Sequence, residues 1–203
     1  MFKSSNNIKK NYFSLMNITD IIKRRRAVYP NQYENSEIED SFIKLLLKNA
    51  NAAPTHKLTQ PWFFKIYKGD SKDNLAIEMT NFYEQFSIGS KLNEIKKKKI
   101  IEKCKLSNCV IAIFMRKDPL KRVPEWEEIA ATAMAVQNMW LTCTANNIGC
   151  YWSTPKYTSL MNDFFKLEEG EKSLGFFYLG KFDHSKIKPK QRISIKEKVE
   201  WNN

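Results

Sequence analysis

The sequence has few of the residues from which metal centres and disulfide scaffolds are built. Its 203 residues include two histidines, His56 and His184, and four cysteines. Gaps of four, 33 and six residues separate the cysteines, which matches no CxxC motif and favours reduced thiols over zinc or disulfide chemistry. Only six glycines and seven prolines are present, which excludes collagen-like and low-complexity classes.

The sequence also lacks long apolar runs and glycine-rich phosphate motifs. No run of about 18 uncharged apolar residues occurs, so no membrane-spanning helix is expected. The first 17 residues carry lysines but no apolar segment, so we expect no secretory signal and a cytoplasmic location. Neither GxGxxG nor GxxxxGK followed by Ser or Thr occurs, so a Rossmann dinucleotide site and a P-loop are both unsupported.

Positive charge is abundant and unevenly distributed. The net charge is +12, and 42% of the residues are hydrophobic, which is typical of a folded globular chain. Residues 1–26, 91–105 and 181–200 together carry +15, and the remainder carries −3. This pattern favours separate anion-binding or solvated faces over a uniform nucleic-acid-binding coat.

Hydrophobic spacing predicts an α/β or α+β domain with a small central sheet. Residues 1–16 are interpreted as a basic extension, and residues 17–203 as one domain. A first helix runs from Ile18 into the arginines at 24–26, and a second starts at Ser36 in a Ser36-x-x-Glu39 capping box. The other predicted helices are 72–86, 91–106, 125–146 and 156–165, and the predicted strands are 62–67, 109–115, 150–153 and 174–180.

Four segments contain candidate functional residues. Arg24, Arg25 and Arg26 offer guanidinium forks suited to phosphate, although a solvated basic helix end would look the same. The loop 53–62 concentrates polar donors, including His56 and Gln60, before a tryptophan that could serve only to anchor the next strand. The alanine-rich helix 125–146 suits close packing in a core or a subunit interface, and the turn 149–155 could present backbone N–H groups.

Together these segments resemble the nitroreductase family of flavoproteins. Arg24-Arg25-Arg26-Ala27-Val28 is similar to its R-R-S-x-R motif, and the stretch from Ala53 to Trp62 is similar to A-P-S-x-x-N-x-Q-P-W. Ile148-Gly149-Cys150-Tyr151-Trp152 resembles its G-[LI]-G-x-x-W block, and residues 175–192 resemble its last core strand and basic tail. The order and spacing match over about residues 18–193, and the closest likeness is to compact, single-domain members.

The resemblance implies an α+β fold, an α-β-α sandwich with a small central, mainly antiparallel sheet, and an intertwined homodimer. It implies FMN at the dimer interface, reduction by NADH or NADPH, and hydride transfer through flavin N5 to nitroaromatic, quinone or similar small-molecule acceptors. Because the flavin carries the redox chemistry, no side chain is assigned as an acid, base or nucleophile. No membrane or nucleic-acid partner is expected.

The resemblance also implies roles for individual residues. The phosphate and ribityl end of FMN would meet Arg24 and Arg26, flanked by Arg25, and the basic tail would complete this clamp with Lys190 and Arg192. His56 and Gln60 would approach the flavin from the partner subunit. One side of the flavin would be lined by Trp152, Ser153 and Thr154.

Three positions depart from the family motifs. Arg26 replaces the usual serine, Leu58 replaces the usual asparagine, and Val28 replaces a cation that normally faces the N1/O2 edge of the flavin. Reduced flavin is anionic near N1, so another cation or N–H donor should compensate, and His56 and Lys57 are the candidates.

Two alternatives remain open at the level of sequence. A flavin-binding family member could carry out dehalogenation or flavin breakdown instead of nitro reduction. A basic nucleic-acid-binding module is suggested by Lys96-Lys97-Lys98-Lys99, although no DNA- or RNA-reading motif accompanies this run. A solvated helix face is the favoured interpretation of these lysines.

Overall fold

A computed structural model describes residues 17–88, 94–187 and 191–202. The α-helices are α1 (Ile18–Arg24), α2 (Asp40–Ala50), α3 (Asp70–Phe86), α4 (Glu94–Leu106), α5 (Glu125–Ala145) and α6 (Asn162–Phe165). The strands are β1 (Tyr33–Glu34), β2 (Trp62–Tyr67), β3 (Cys109–Arg116), β4 (Ile148–Ser153) and β5 (Glu171–Phe182). Short 3-10 turns cover Pro30–Gln32, His56–Leu58, Lys156–Leu160, His184–Lys186 and Ile195–Lys198.

The five strands form one antiparallel sheet in the order β1-β5-β3-β2. β4 also pairs with β5, and Lys181 of β5 has a partner in both β1 and β4, so these two strands lie on opposite edges of β5. The long β5 therefore pairs with β1, β3 and β4. β3 lies in the interior, and its side chains from Cys109 to Met115 are buried, as its continuous apolar run indicates. The predicted α+β architecture with a small, mainly antiparallel sheet is confirmed.

Helices cover both faces of the sheet. α2 and α5 pack on one face, where Leu46, Val136 and Met139 form part of a buried core with alternate residues of β3. α3 and α4 pack on the other face, against the opposite set of β3 residues and the aromatic side chains of β5. This alternation of faces along β3 is the two-residue period of a strand that is covered on both sides.

The largest departure from the predicted elements concerns the start of α2. The helix begins at Asp40 with Glu39 as its N-cap residue, so Ser36 lies before the helix and caps nothing. Ser36 Oγ is instead buried and has no hydrogen-bond partner among the described residues. The predicted helix 156–165 is also wrong in detail, because it divides into the 3-10 turn Lys156–Leu160 and the short α6.

Ser36→Ala is expected to raise the free energy of unfolding by about 1 kcal/mol, because it removes a buried hydroxyl that lacks a partner. A serine that capped α2 would give the opposite sign, with a loss of about 1 kcal/mol on the same change. Urea denaturation of both proteins, with the slope checked for constancy, distinguishes the two outcomes.

Burial determines the chemistry of the cysteines. All four cysteines are free and buried, and burial raises the pKa of the Cys104 and Cys109 thiols to about 12, which makes both poor nucleophiles. None of the helices in the described ranges is long and apolar enough to cross a membrane. Within the same ranges, no cluster of three potential metal ligands occurs.

Candidate functional site

The arginine segment lies against the edge of the sheet. α1 ends at Arg24, and the chain then extends so that the Val28 N–H donates to the Cys150 carbonyl oxygen of β4 at 3.0 Å. Val28 itself is 3% exposed and belongs to the core. The guanidinium of Arg26 turns back and donates to the carbonyl oxygens of Lys23 (2.6 Å) and Arg25 (2.9 Å). These bonds hold the three arginines at the junction of α1 and β4.

Trp140 of α5 holds the arginine segment in place. Its indole N–H donates to the Arg26 carbonyl oxygen at 2.8 Å, and the Arg25 guanidinium carbon lies 4.8 Å from the centre of its ring. Burial, and then the nearby charges of Arg192 and Arg26, lower the pKa of Arg25. Such crowding of cations is unfavourable unless an anion is bound, so the junction is suited to a phosphate or carboxylate.

Tyr33 fixes the segment from the other side. Its hydroxyl lies 2.8 Å from the Val28 carbonyl oxygen and 3.1 Å from that of Tyr178. The ring covers Gly180, where an added Cβ would come within 2.3 Å of the Tyr33 ring. Gly180 is therefore needed for close approach, and the tyrosine joins the arginine segment to β5.

A small groove beside this junction is lined partly by Arg24, Arg26 and His184. Burial and the positive charge of Arg24 lower the pKa of His184, so the groove is electropositive even with a neutral imidazole. Together with Arg192, which acts on Arg25, the three consecutive arginines form what we call the arginine cluster. The structure thus brings together the first-helix motif and one residue of the basic tail. Lys190, the other tail residue predicted for the site, lies outside the described residues.

The end of β4 carries the next group of predicted site residues. The Trp152 indole N–H donates to the Leu174 carbonyl oxygen at 2.8 Å, at a point where Leu174 bulges out of the β3–β5 ladder. Ser153 and Thr154 follow in a turn that passes directly over Gly175. A Cβ at Gly175, whose φ is +101°, would lie 2.2 Å from the Ser153 carbonyl oxygen. The turn therefore has its position because residue 175 is a glycine.

A cavity of about 550 Å³ opens beside this turn. Ser153 and Thr154 line one side of it, and four lysines contribute to its walls: Lys96, Lys99, Lys103 and Lys156. We call this space the lysine cavity. Its volume is in the range typical of small-molecule sites.

The sequence predicts one solvated face for the run 96–99 and does not predict the lysine cavity. The four side chains do different things: Lys97 forms a 2.5 Å ion pair with Glu84, Lys98 is exposed, and the other two line the cavity. Lys96, Lys99 and Lys103 are three and four residues apart, so they lie on one face of α4. This spacing is visible in the sequence and indicates a shared basic face.

The polar loop after α2 lies elsewhere. His56 Nδ1 is 2.5 Å from Glu127 Oε2 in the first turn of α5, and Gln60 is exposed. Lys57, Leu58 and Gln60 all have positive φ angles, between 45° and 54°, which non-glycine residues rarely adopt. Strained backbone of this kind is characteristic of functional loops.

Within one chain this loop and the arginine cluster are far apart. His56 contacts α5 at Glu127, whereas the arginine cluster contacts α5 at Trp140. Thirteen helical residues span about 20 Å at 1.5 Å per residue. One subunit therefore does not bring His56 and Gln60 to the arginines, which is the arrangement expected if they serve a partner's site.

Comparison with known proteins identifies the family. The sequence model described as "Nitroreductase family" matches residues 22–181. The chain belongs to the nitroreductase family. This assignment covers α1 to β5 and confirms the predicted family and its class, an oxidoreductase.

Individual relatives agree with the family assignment. The chain is 26% identical over 144 residues to "Putative NAD(P)H nitroreductase YdjA" of Escherichia coli (strain K12), covering 68% of this chain and 74% of that protein. The crystal structure of a nitroreductase-like family protein from Bacillus cereus is 26% identical, with a TM-score of 0.78 over 92% of this chain and 96% of the other. The FMN-dependent nitroreductase NfnB of Mycobacterium smegmatis, solved in complex with NADPH, shares the fold at 16% identity, with a TM-score of 0.72 over 91% and 97% of the two chains.

Proposed function

We propose that this member of the nitroreductase family is an FMN-dependent NAD(P)H oxidoreductase that reduces nitroaromatic, quinone or similar acceptors. The observation that carries the proposal is the arginine cluster, which the Trp140 indole N–H and the bond from the Val28 N–H to β4 hold beside a groove lined by Arg24 and Arg26. A terminal phosphate, as in FMN, would be stabilised by these cations. NAD(P)H is the reductant in the name of the E. coli relative, and NfnB is described as FMN-dependent.

The residues present fit FMN along the edge of β4. Arg24, Arg26 and Arg192 would bind the phosphate with charge-assisted bonds, and Trp140 would position the arginine backbone. Trp152, Ser153 and Thr154 would line one side of the ring system, on a turn fixed by Gly175. When bound, FMN supplies hydride chemistry at N5, between NAD(P)H and the acceptor.

The position of Val28 leaves the N1/O2 edge of the flavin without the cation that the family motif provides. His56 already faces Glu127, which weakens its case as the replacement within its own chain. Lys57, the other candidate, is exposed in the same loop and has a positive φ angle.

We infer further that the protein is an intertwined homodimer. α5 exposes large apolar side chains, with Trp126 67% accessible, and the tail does the same with Trp201 at 84%. Exposed apolar surface of this kind marks interaction sites. A two-fold axis across α5 would bring the Glu127 end of one helix to the Trp140 end of the other, and so His56 and Gln60 to the partner's arginine cluster.

The test is purification and spectroscopy of the native protein. We expect a yellow protein that releases FMN and not FAD, oxidises NADH or NADPH with menadione or a nitroaromatic, and has twice the chain mass by light scattering. A colourless protein that takes up no FMN and binds DNA would contradict the proposal, and so would a monomer that retains FMN in equal amount. Flavin loss during incubation with reductant and oxygen would favour flavin breakdown instead.

A further inference from the structure

The lysine cavity has a charge pattern that the proposed binding of FMN phosphate does not use. Four lysines line it, and none of the lining residues within the described ranges is acidic. Glu102 is the nearest carboxylate by position on α4, but it faces a neighbouring groove together with Lys99 and Lys103. Lysines collected around one space repel each other, so an anion in that space would be stabilised.

The walls of the lysine cavity are aromatic. Tyr83, Phe86, Tyr157 and Tyr178 contribute rings to its lining. Burial raises the pKa of Tyr157 and Tyr178, so both phenols stay neutral at physiological pH and add no negative charge. Flat apolar surfaces between the lysines favour an aromatic ligand over a compact inorganic anion.

One lysine of the cavity is held in place by an aromatic ring. The Lys103 ammonium lies 5.4 Å from the centre of the Tyr151 ring, on the strand that leads to Ser153. A cation–π contact of this length keeps the charge at the end of β4 and limits the conformations of the side chain. The positive charge therefore faces the same turn that is proposed to line the flavin.

We propose that the lysine cavity selects electron acceptors that carry a carboxylate on an aromatic ring. This inference rests on the proposed function and specifies its substrate class. Lys99 and Lys103 bind the carboxylate, the aromatic walls hold the ring, and the reducible group points toward the Ser153–Thr154 turn. Lysine side chains suit this role because they act as mobile point charges and adapt to carboxylates at different ring positions.

A pair of substrates of nearly equal shape tests the proposal: 4-nitrobenzoate and 4-nitrobenzamide. In each turnover NAD(P)H supplies a hydride and solvent a proton, so the nitro group becomes a nitroso group and one water leaves. The native enzyme should prefer the carboxylate in kcat/KM by about tenfold, the low end of coupling energies measured for close charge pairs. In Lys99→Met/Lys103→Met the preference should fall to about twofold or less, since methionine keeps the length of the side chain and removes its charge.

Lys98→Met is the matched control, because Lys98 is exposed on α4 and does not line the cavity. It should keep the native preference. Calorimetric titration of the oxidised holoenzyme, without NAD(P)H, should show the same order of affinities for the two compounds and the same loss in the double variant.

Three outcomes would overturn the inference: equal kcat/KM for the two substrates in the native enzyme, an unchanged preference in the double variant, or an equal loss in the Lys98 control. A double variant that changes only KM for NADPH relative to NADH would assign the lysines to the reductant and would likewise overturn it. Failure to reduce either compound, or menadione, would instead count against the proposed function.

Discussion

Arg24→Ala is expected to weaken FMN binding about 30-fold or more, while leaving the protein folded. Arg24 is exposed at the end of α1 and lines the electropositive groove with Arg26 and His184. Removing one partner of a charged hydrogen bond typically costs about 2–5 kcal/mol, and each 1.4 kcal/mol is about tenfold in affinity. α1 has no buried residues, so the loss of this side chain should not disturb the core. Fluorescence quenching of FMN measures the affinity, with circular dichroism as the control for folding.

Lys98→Ala is the control for net charge, because it also removes one positive charge but from an exposed position on α4. It should change FMN affinity by less than about twofold, as exposed charges interact weakly across the surface. If the Arg24 variant is folded and binds FMN like the native protein, the phosphate does not lie at the arginine cluster. An equal loss in both variants would indicate a general electrostatic effect instead of a site.

The sequence predicts best those elements whose hydrophobic or helix-end pattern is compatible with only one secondary structure. The run from Cys109 to Met115 has no polar residue, and it forms the buried strand β3. α5 begins at Glu125, where acidic residues fill the first turn, and ends at Ala145, before Asn147 adopts a positive φ. The predicted start of α2 at Ser36 is wrong, because the Ser36-x-x-Glu39 pattern reports only on neighbouring residues and not on tertiary contacts. Packing of Ile38 in the core and its N–H bond to Asn108 keep this segment extended.

The candidate site is only partly predictable, because several of its contacts join residues that are distant in the sequence. Arg24 and Arg26 belong to a contiguous motif, so their proximity follows from sequence alone. The Trp140 indole N–H reaches the Arg26 carbonyl oxygen only because α5 packs against α1, and that contact joins residues 114 positions apart. The spacing within α4 groups Lys96, Lys99 and Lys103 on one face, but it does not show that this face lies against the turn after β4, where the lysine cavity forms. His56 and Gln60 would complete the site only across a subunit interface.

Gly175→Ala should destabilise the protein by about 3–5 kcal/mol, since it combines backbone strain with a steric clash. The φ of +101° is one that residues with a Cβ rarely adopt, and the new methyl group would lie 2.2 Å from the Ser153 carbonyl oxygen and 3.1 Å from Thr154 Cα. Both contacts are to backbone, so no side-chain rotation relieves them. Relief requires the Ser153–Thr154 turn to move, and with it the proposed lining of the flavin. Urea denaturation measures the stability, and the FMN content after purification reports the turn.

Gly69→Ala is the control that separates backbone strain from the steric clash. Gly69 also has a positive φ, +52°, but a Cβ there would meet nothing within 4 Å. It should therefore cost about 2 kcal/mol, the strain of a backbone conformation (φ 52°, ψ −137°) that residues with a Cβ rarely adopt, with no steric clash added. The Gly69 variant should also keep its FMN, since the N-cap of α3 does not contact the arginine cluster or the β4 turn. If the two variants lose equal stability and both retain FMN, the contact between Gly175 and Ser153 does not position the turn, and the lining assigned to Ser153 and Thr154 loses its structural basis.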